Sequence, residues 1–180
     1  MFKSCGEPFT MFPLTKIINT EVIEIGHHCQ IDDFVFIDGG ESTTIGDYVH
    51  IATFASITGG GVLKLGSFTT LSSGCRVFTG TDDFSGKTLC GAPIPAPFRE
   101  PIRSVVRIGK HALVGANAVV LPGAVIGNGT VIAAGAVVLQ GQHCTPWLVY
   151  AGVPAVVVGR RPRSKMEELE KKLMKGVLCF

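Results

Sequence analysis

The sequence predicts an all-β fold: a parallel β-helix of six-residue repeats, interrupted by an extended loop excursion and ended by a short α-helix. Three observations predict it. Every sixth residue from Ile108 is aliphatic: Ile108, Val114, Val120, Ile126, Ile132 and Val138. Four places after the first five stand the small residues Ala112, Ala118, Ala124, Thr130 and Ala136, and only Gln142 breaks the row. The same lattice runs through the first half as Ile25, Ile31, Ile37, then Ile45, Ile51, Ile57, then Leu65, Leu71, Val77. A period of six suits neither a helix nor a flat strand. It fits a chain that turns a corner every six residues, so that three hexads close a triangular coil. Successive coils then pair as parallel strands about 4.8 Å apart.

Residues 1–22 lack the lattice and read as a cap or a partial first coil. Residues 23–159 carry the coils, five complete with partial ones at each end. Their small positions include Cys29, Val35, Val49, Ala55, Thr69, Cys75 and Thr81. The register slips by two after Gly39-Gly40 and again at Gly59-Gly60-Gly61, as enlarged corners require. Residues 83–107 leave the coil. Pro93, Pro95, Pro97 and Pro101 hold that backbone extended, and a loop so long inside a compact domain usually carries function. Residues 160–180 read as the helix. Ser164 and Glu167 form a capping box. Met166, Leu169, Leu173 and Met174 form an apolar stripe that packs on the end of the stack or on a neighbour.

Composition excludes several classes. The chain of 180 residues suits one domain with a terminal appendage. Hydrophobic residues at 46% rule out a disordered chain. The net charge of +2, without a Lys/Arg block, argues against nucleic acid or an anionic membrane as partner. From His111 to Gly159 there is no Asp, Glu, Lys or Arg, as in a membrane span, but Gly and Pro recur too often for a helix. Cys5, Cys29, Cys75, Cys90, Cys144 and Cys179 are scattered with no CxxC, which suits a reduced cytoplasmic protein. The five histidines lack metal-ligand spacing, so no metal is expected. Lys3 and Lys16 bracket an apolar stretch too short for a signal peptide.

The runs IGKHALVGANAVVLPGAVIGNGTVIAAGAVV (108–138) and WLVYAGVPAVVVGRR (147–161) resemble the hexapeptide-repeat, left-handed β-helix acyltransferases. IGHHCQIDDFVFIDGG (25–40), IGDYVHIATFASITGGG (45–61) and FTGTDDFSG (78–86) resemble a bacterial subgroup of galactoside-like sugar O- or N-acetyltransferases from surface-polysaccharide pathways. The resemblance implies a left-handed coil and a homotrimer with active sites in the clefts between subunits. Acetyl-CoA, or another acyl-CoA, would lie along each cleft. A sugar or sugar-nucleotide acceptor would sit at the end of the pantetheine arm.

The chemistry is attack of a hydroxyl or amine on a thioester carbonyl. A hydroxyl needs a base near neutral pH, and the oxyanion needs a hydrogen-bond donor. His50, in the run GDYVHIA, faces outward before Ile51 and is the first candidate base; a surface histidine is the plain alternative. His111 is a weaker second, and His27, His28 and His143 read as surface or structural. Asp82 and Asp83 follow the last hexad before the loop, where galactoside and xenobiotic acetyltransferases place a histidine that this chain lacks. One of them could hold a sugar hydroxyl or ammonium, or orient His50 across an interface; otherwise they cap a turn. Asp33, Phe98 and Arg99, with Arg103, are acceptor-binding candidates, and Asp32 adjoins them. For the coenzyme, the resemblance points to Gly115, Ala133, Ala134, Gly152 and Pro154 as close-approach positions. Arg160, Arg161 and Lys165 would meet its phosphates. Trp147 either flanks the adenine or packs the last coil. The alternatives are a serine acetyltransferase-like enzyme, set back by the short segment before the coils, and a non-catalytic scaffold that binds no coenzyme A.

Overall fold

The computed structural model describes residues 1–177, so Cys179 lies outside the described residues. The chain winds through three parallel sheets that form the faces of a prism. The first face stacks seven strands: Ser4–Cys5, Ile23–Ile25, Ser42–Ile45, Val62–Leu65, Val105–Ile108, Val125–Ile126 and His143–Cys144. The second face runs from Phe9–Met11 through Cys29–Ile31, His50–Ile51, Thr70–Leu71, Leu113–Val114 and Val131–Ile132 to Leu148–Ala151. Val156–Arg160 adds to its edge antiparallel. The third face stacks Lys16–Ile18, Phe36–Asp38, Ser56–Thr58, Arg76–Phe78, Val119–Val120 and Val137–Val138. The stretch from His111 to Gly159 therefore builds coils, and among the described residues no helix is long and apolar enough to cross a membrane.

All fifteen lattice residues point inward and are buried. The first face carries a second inward residue in most strands: Ile23, Thr43, Leu63 and Val106. Thr43 and Leu63 follow the two glycine-marked slips, while Ile23 follows the 3-10 turn Thr20–Val22 and Val106 follows the excursion. Register pairs Ile25 with Ile45 and Ile108 with Ile126, so a coil takes 20 residues before the loop and 18 after it. Thr81 departs from the expected inward row. It is half-buried, and Thr79 takes the buried place, because the chain is already leaving the stack there.

Residues 1–22 hold a complete coil rather than a partial one, with a strand on each face. Cys5, Met11 and Ile17 align with Ile25, Ile31 and Ile37 at the same spacing of six. Only Ile17 is β-branched aliphatic, which hid the lattice. The excursion opens with Gly80–Thr81 pairing antiparallel to Ile102–Arg103 and rejoins the first face at Val105, inside the span 83–107 expected to lie off the coil.

The corner between the first and second faces carries a column of rings: His28 on Tyr48 (4.5 Å), Tyr48 on Phe68 (4.8 Å) and Phe68 on His111 (5.0 Å). Trp147 closes the column at 6.2 Å from His111 by lying across Gly129, where an added Cβ would meet the indole at 2.3 Å. All five ring-bearing residues have left-handed backbone, which costs roughly 1–2 kcal/mol each in an L-residue. Stacking returns about 0.5–1.5 kcal/mol per aromatic pair.

The helix, Ser164–Val177, lies along this corner rather than on the end of the stack. Glu170 draws it there by accepting hydrogen bonds from Lys110 Nζ and, at 2.8 Å, His111 Nε2. Met166, Leu169 and Leu173 then face Phe68 across an apolar groove. Glu167 accepts from Arg163 Nε at 2.7 Å, so an ion pair takes up the carboxylate expected to complete a capping box with Ser164.

Ile57 sits mid-stack and is about 1% exposed, between Ile37 and Val77. Ile57→Ala is expected to lower unfolding stability by about 2–5 kcal/mol, read as a lower urea midpoint at unchanged slope.

Candidate active site

His50 and Gln30 are register partners on the outer side of the second face. Asp32, two residues beyond Gln30, reaches both. His50 Nε2 stands 3.0 Å from Asp32 Oδ2, and Gln30 Nε2 donates to Asp32 Oδ1 at 2.8 Å. An ionised carboxylate can only accept, so His50 Nε2–H donates to Asp32. Burial raises the Asp32 pKa, but the hydrogen bonds from Gln30 and His50 outweigh it, and the carboxyl ends below its ordinary value. The result is an imidazole oriented by an anion, the arrangement that suits a general base.

Asp33 turns away from this group and accepts the Leu14 N–H at 2.8 Å. The residue beside it makes the contact with His50. Asp32 was legible in principle, because the lattice aligns Ile31 with Ile51 and so sets residues 30–32 against 50–52.

Asp82 and Asp83 lie at the corner between the third and first faces. Asp83 is taken up by its own loop. Ser85 N–H donates to Oδ1 at 2.8 Å, and the N–H groups of Lys87 and Thr88 donate to Oδ2 at 2.9 and 3.2 Å. Hydrogen bonds from the Ser85 side chain and from these backbone groups bring its pKa down to about 2. That is the turn-capping role. Asp82 accepts one backbone bond, from Gly91 N–H at 3.0 Å, and lines a cavity of about 350 Å³ with Asp38, Arg99 and Arg103. Phe98 ends the short 3-10 turn Ala96–Phe98 and is exposed. Within one chain, His50 and Asp82 stand on different sides of the prism.

The coenzyme candidates divide into two places. Gly115, Ala133, Ala134, Gly152 and Pro154 gather at the corner between the second and third faces in the last three coils. The smallness of Gly115 serves the stack itself, since an added Cβ would meet Ala134 N at 2.5 Å. Ala134, Gly152 and Pro154 are exposed, and at the neighbouring Gly135 an added Cβ would meet nothing within 4 Å. This open ledge fits close approach by an extended ligand.

The three basic candidates lie across the second face from that ledge. Arg161 Nη1 donates to the carbonyls of His111 (2.7 Å) and Gly129 (3.3 Å), and burial lowers its pKa. It ties the last strand to the ring column. Lys165 pairs with Glu168 at 3.1 Å, and Arg160 is exposed. Trp147 packs on Gly129 beside His111, and His111 itself is buried against Glu170.

A stack of six-residue coils with an open small-residue ledge defines a class. Residues 106–140 match the model of the bacterial transferase hexapeptide (six repeats). The chain belongs to the hexapeptide-repeat acyltransferase family, and its β-helix is left-handed. None of the curated proteins matches it. Among solved structures it is similar to AntD, an N-acyltransferase from Bacillus cereus, in complex with dTDP and 3-hydroxybutyryl-CoA. Identity is 34%, over 98% of this chain and 92% of that one, with a TM-score of 0.90. A variant of the same enzyme, in complex with dTDP-4-amino-4,6-dideoxyglucose and coenzyme A, gives 34% identity over 97% and 92% with a TM-score of 0.91. A maltose O-acetyltransferase from Clostridium difficile shares the fold at 20% identity, over 90% and 71%, with a TM-score of 0.56.

The contact of Glu170 with the ring column gives a prediction with a definite sign. A hydrogen bond from Lys110 is the main cause that lowers the Glu170 pKa below its ordinary 4.5, with His111 adding to it. A carboxylate lowered in the folded state contributes stability above pH 4.5, and that contribution is lost as pH falls through the folded value. Glu170→Gln should change Trp147 emission and expose the helix to proteolysis at pH 7. Wild type should reach the same state only below about pH 4.5. Identical proteolysis of the two proteins at pH 7 would contradict this.

Proposed function

We propose that the protein is an acyl-CoA-dependent acyltransferase that acylates a sugar carried on a nucleoside diphosphate. One observation carries the reading. The likeness to an N-acyltransferase crystallised with a dTDP-amino sugar and coenzyme A runs over 97% of this chain at a TM-score of 0.91. The small-residue ledge and the steered imidazole of His50 support it. Acetyl is the first acyl group to test, and 3-hydroxybutyryl, held by the relative, is the second.

In the proposed reaction the acceptor's amine or hydroxyl attacks the thioester carbonyl. His50 Nδ1 takes the proton while Asp32 holds the ring and stabilises the imidazolium that forms. The tetrahedral intermediate collapses with loss of the coenzyme A thiolate, which takes up a proton. The products are an amide or ester of the sugar and free coenzyme A. Asp82, Arg99 and Phe98 belong to the acceptor side in this reading. Gly115, Ala133, Ala134, Gly152 and Pro154 belong to the donor side, with Arg160 and Lys165 near its phosphates. Asp33, Asp83 and Arg161 act through the backbone they hold.

His50 and Asp82 lie on different faces of one chain, so the working unit in this reading is a homotrimer whose clefts combine faces of two copies. Surface-polysaccharide synthesis, lipopolysaccharide included, in the cytoplasm is the setting where nucleotide sugars of this kind are consumed.

The first test is calorimetric titration with acetyl-CoA, alongside mass in solution. Binding at about one site per chain in a trimer supports the reading. No binding by a folded trimer to acetyl-CoA or 3-hydroxybutyryl-CoA points instead to a scaffold. With an active assay in hand, His50→Asn should lower kcat by about 10²–10⁴-fold. Activity within about threefold of wild type at saturating substrates would remove His50 as the base, a loss far below that range.

A further inference from the structure

The cavity at the corner between the third and first faces holds two cations and two anions that do not pair with each other. Arg99 comes from the loop and Arg103 from its returning strand. Asp38 ends a third-face strand, and Asp82 opens the excursion. Among the described residues, neither guanidinium forms an ion pair or a side-chain hydrogen bond. Each carboxylate has one oxygen in use. Asp38 Oδ1 accepts from Asn19 Nδ2 (2.8 Å) and Gly40 N–H (3.0 Å), and Asp82 Oδ2 accepts from Gly91 N–H.

Opposite charges in one small cavity ordinarily collapse into ion pairs. Here the backbone keeps them apart. The antiparallel pairing of Gly80–Thr81 with Ile102–Arg103 fixes the root of Arg103. Gly59 and Gly60 both adopt positive φ, and an added Cβ at Gly60 would stand 3.4 Å from Arg103 Nε. A methyl there would touch the guanidinium without a clash, so what glycine supplies is the positive φ that sets the corner against which Arg103 lies. Unpaired guanidinia with fixed roots are suited to bidentate contact with phosphate oxygens. The carboxylates on the same wall disfavour a bare polyanion and call for a ligand that also offers donors.

We infer that this cavity binds the diphosphate and the attached sugar of a nucleoside-diphosphate sugar, with Arg99 and Arg103 on the phosphates and the free oxygens of Asp38 and Asp82 on sugar donors. The inference rests on the acyltransferase reading and adds to it where the acceptor's charge is recognised. It makes Arg103, Asp38 and the Gly59-Gly60 corner determinants of acceptor specificity, none of which touches the acyl donor ledge.

The test titrates the full chain with thymidine and uridine diphosphates, then with the same nucleotides carrying glucose, in parallel with acetyl-CoA. Wild type should bind at least one nucleotide of the panel. Arg103→Ala and Arg99→Ala should each weaken it about tenfold to a hundredfold, the loss expected for a hydrogen bond to a charged group. Acetyl-CoA affinity should stay within twofold, and that unchanged affinity also reports that both variants are folded. Gly60→Ala should weaken the nucleotide in the same direction. Nucleotide binding that survives both arginine substitutions overturns the assignment. So does a wild type that binds acetyl-CoA and no nucleotide of the panel, and that result leaves the acyltransferase reading standing. Failure to bind either ligand removes both.

Discussion

The structure depends on identical stacking of one coil on the next. Each inward residue must share a column with its equivalents above and below, and each strand must hand its N–H and C=O groups to the neighbouring coils. A side chain that fits one level therefore has to fit every level. This is why the inward columns of residues 25–138 hold β-branched and leucine leads with Ala, Cys, Thr or Val as the small partners, and depart from them only in the first and last coils, at Cys5, Met11, Cys144 and Tyr150. The same constraint acts at the corners. At Gly66, Gly109 and Gly127 an added Cβ would stand 2.4, 2.5 and 2.6 Å from backbone or side-chain atoms of the next coil. Stack spacing leaves no room for a side chain there.

Repetition made the fold legible and the site obscure. The lattice appears in the sequence because the same demand is imposed every six residues, and a missed level, such as the coil of Cys5, Met11 and Ile17, stands out only beside its register partners. Outward positions carry no such demand. His50 could be placed facing out, but its carboxylate partner depended on how coils of 20 residues align, which made Asp32 and Asp33 look equivalent. The role of Asp83 was hidden for another reason. Its partners are the backbone N–H groups of a loop whose path no periodicity describes.

The ring column shows how an outward feature can still be built by the stack. His28, Tyr48, Phe68, His111 and Trp147 occupy equivalent corner positions, separated by irregular intervals in sequence because the loop and the change in coil length intervene. Only in three dimensions do they meet. Their flat faces form a surface onto which the helix settles, and Glu170 fixes its position through two cationic or polar donors, Lys110 and His111. Arg161 completes the joint by hydrogen bonding to two corner carbonyls. The basic run after the last coil therefore does structural work at Arg161, and only its exposed neighbours are available to a ligand.

Coil length links this architecture to chemistry. The coils before the loop hold two more residues than those after it, and the added residues widen the corner that carries Gly39-Gly40 and Gly59-Gly60. Coils of 18 residues close that corner with Pro122-Gly123, and the position of Asp38 is taken there by Leu121. The widened corner is also where the chain departs into its excursion and comes back with Arg99 and Arg103. A regular corner, turned in the same few residues at every level, offers little concavity. The corner gains its cavity where the repeat is broken, so the two glycine-marked slips and the loop are different expressions of one requirement: the inward columns must stay in register while the outside makes room for a ligand.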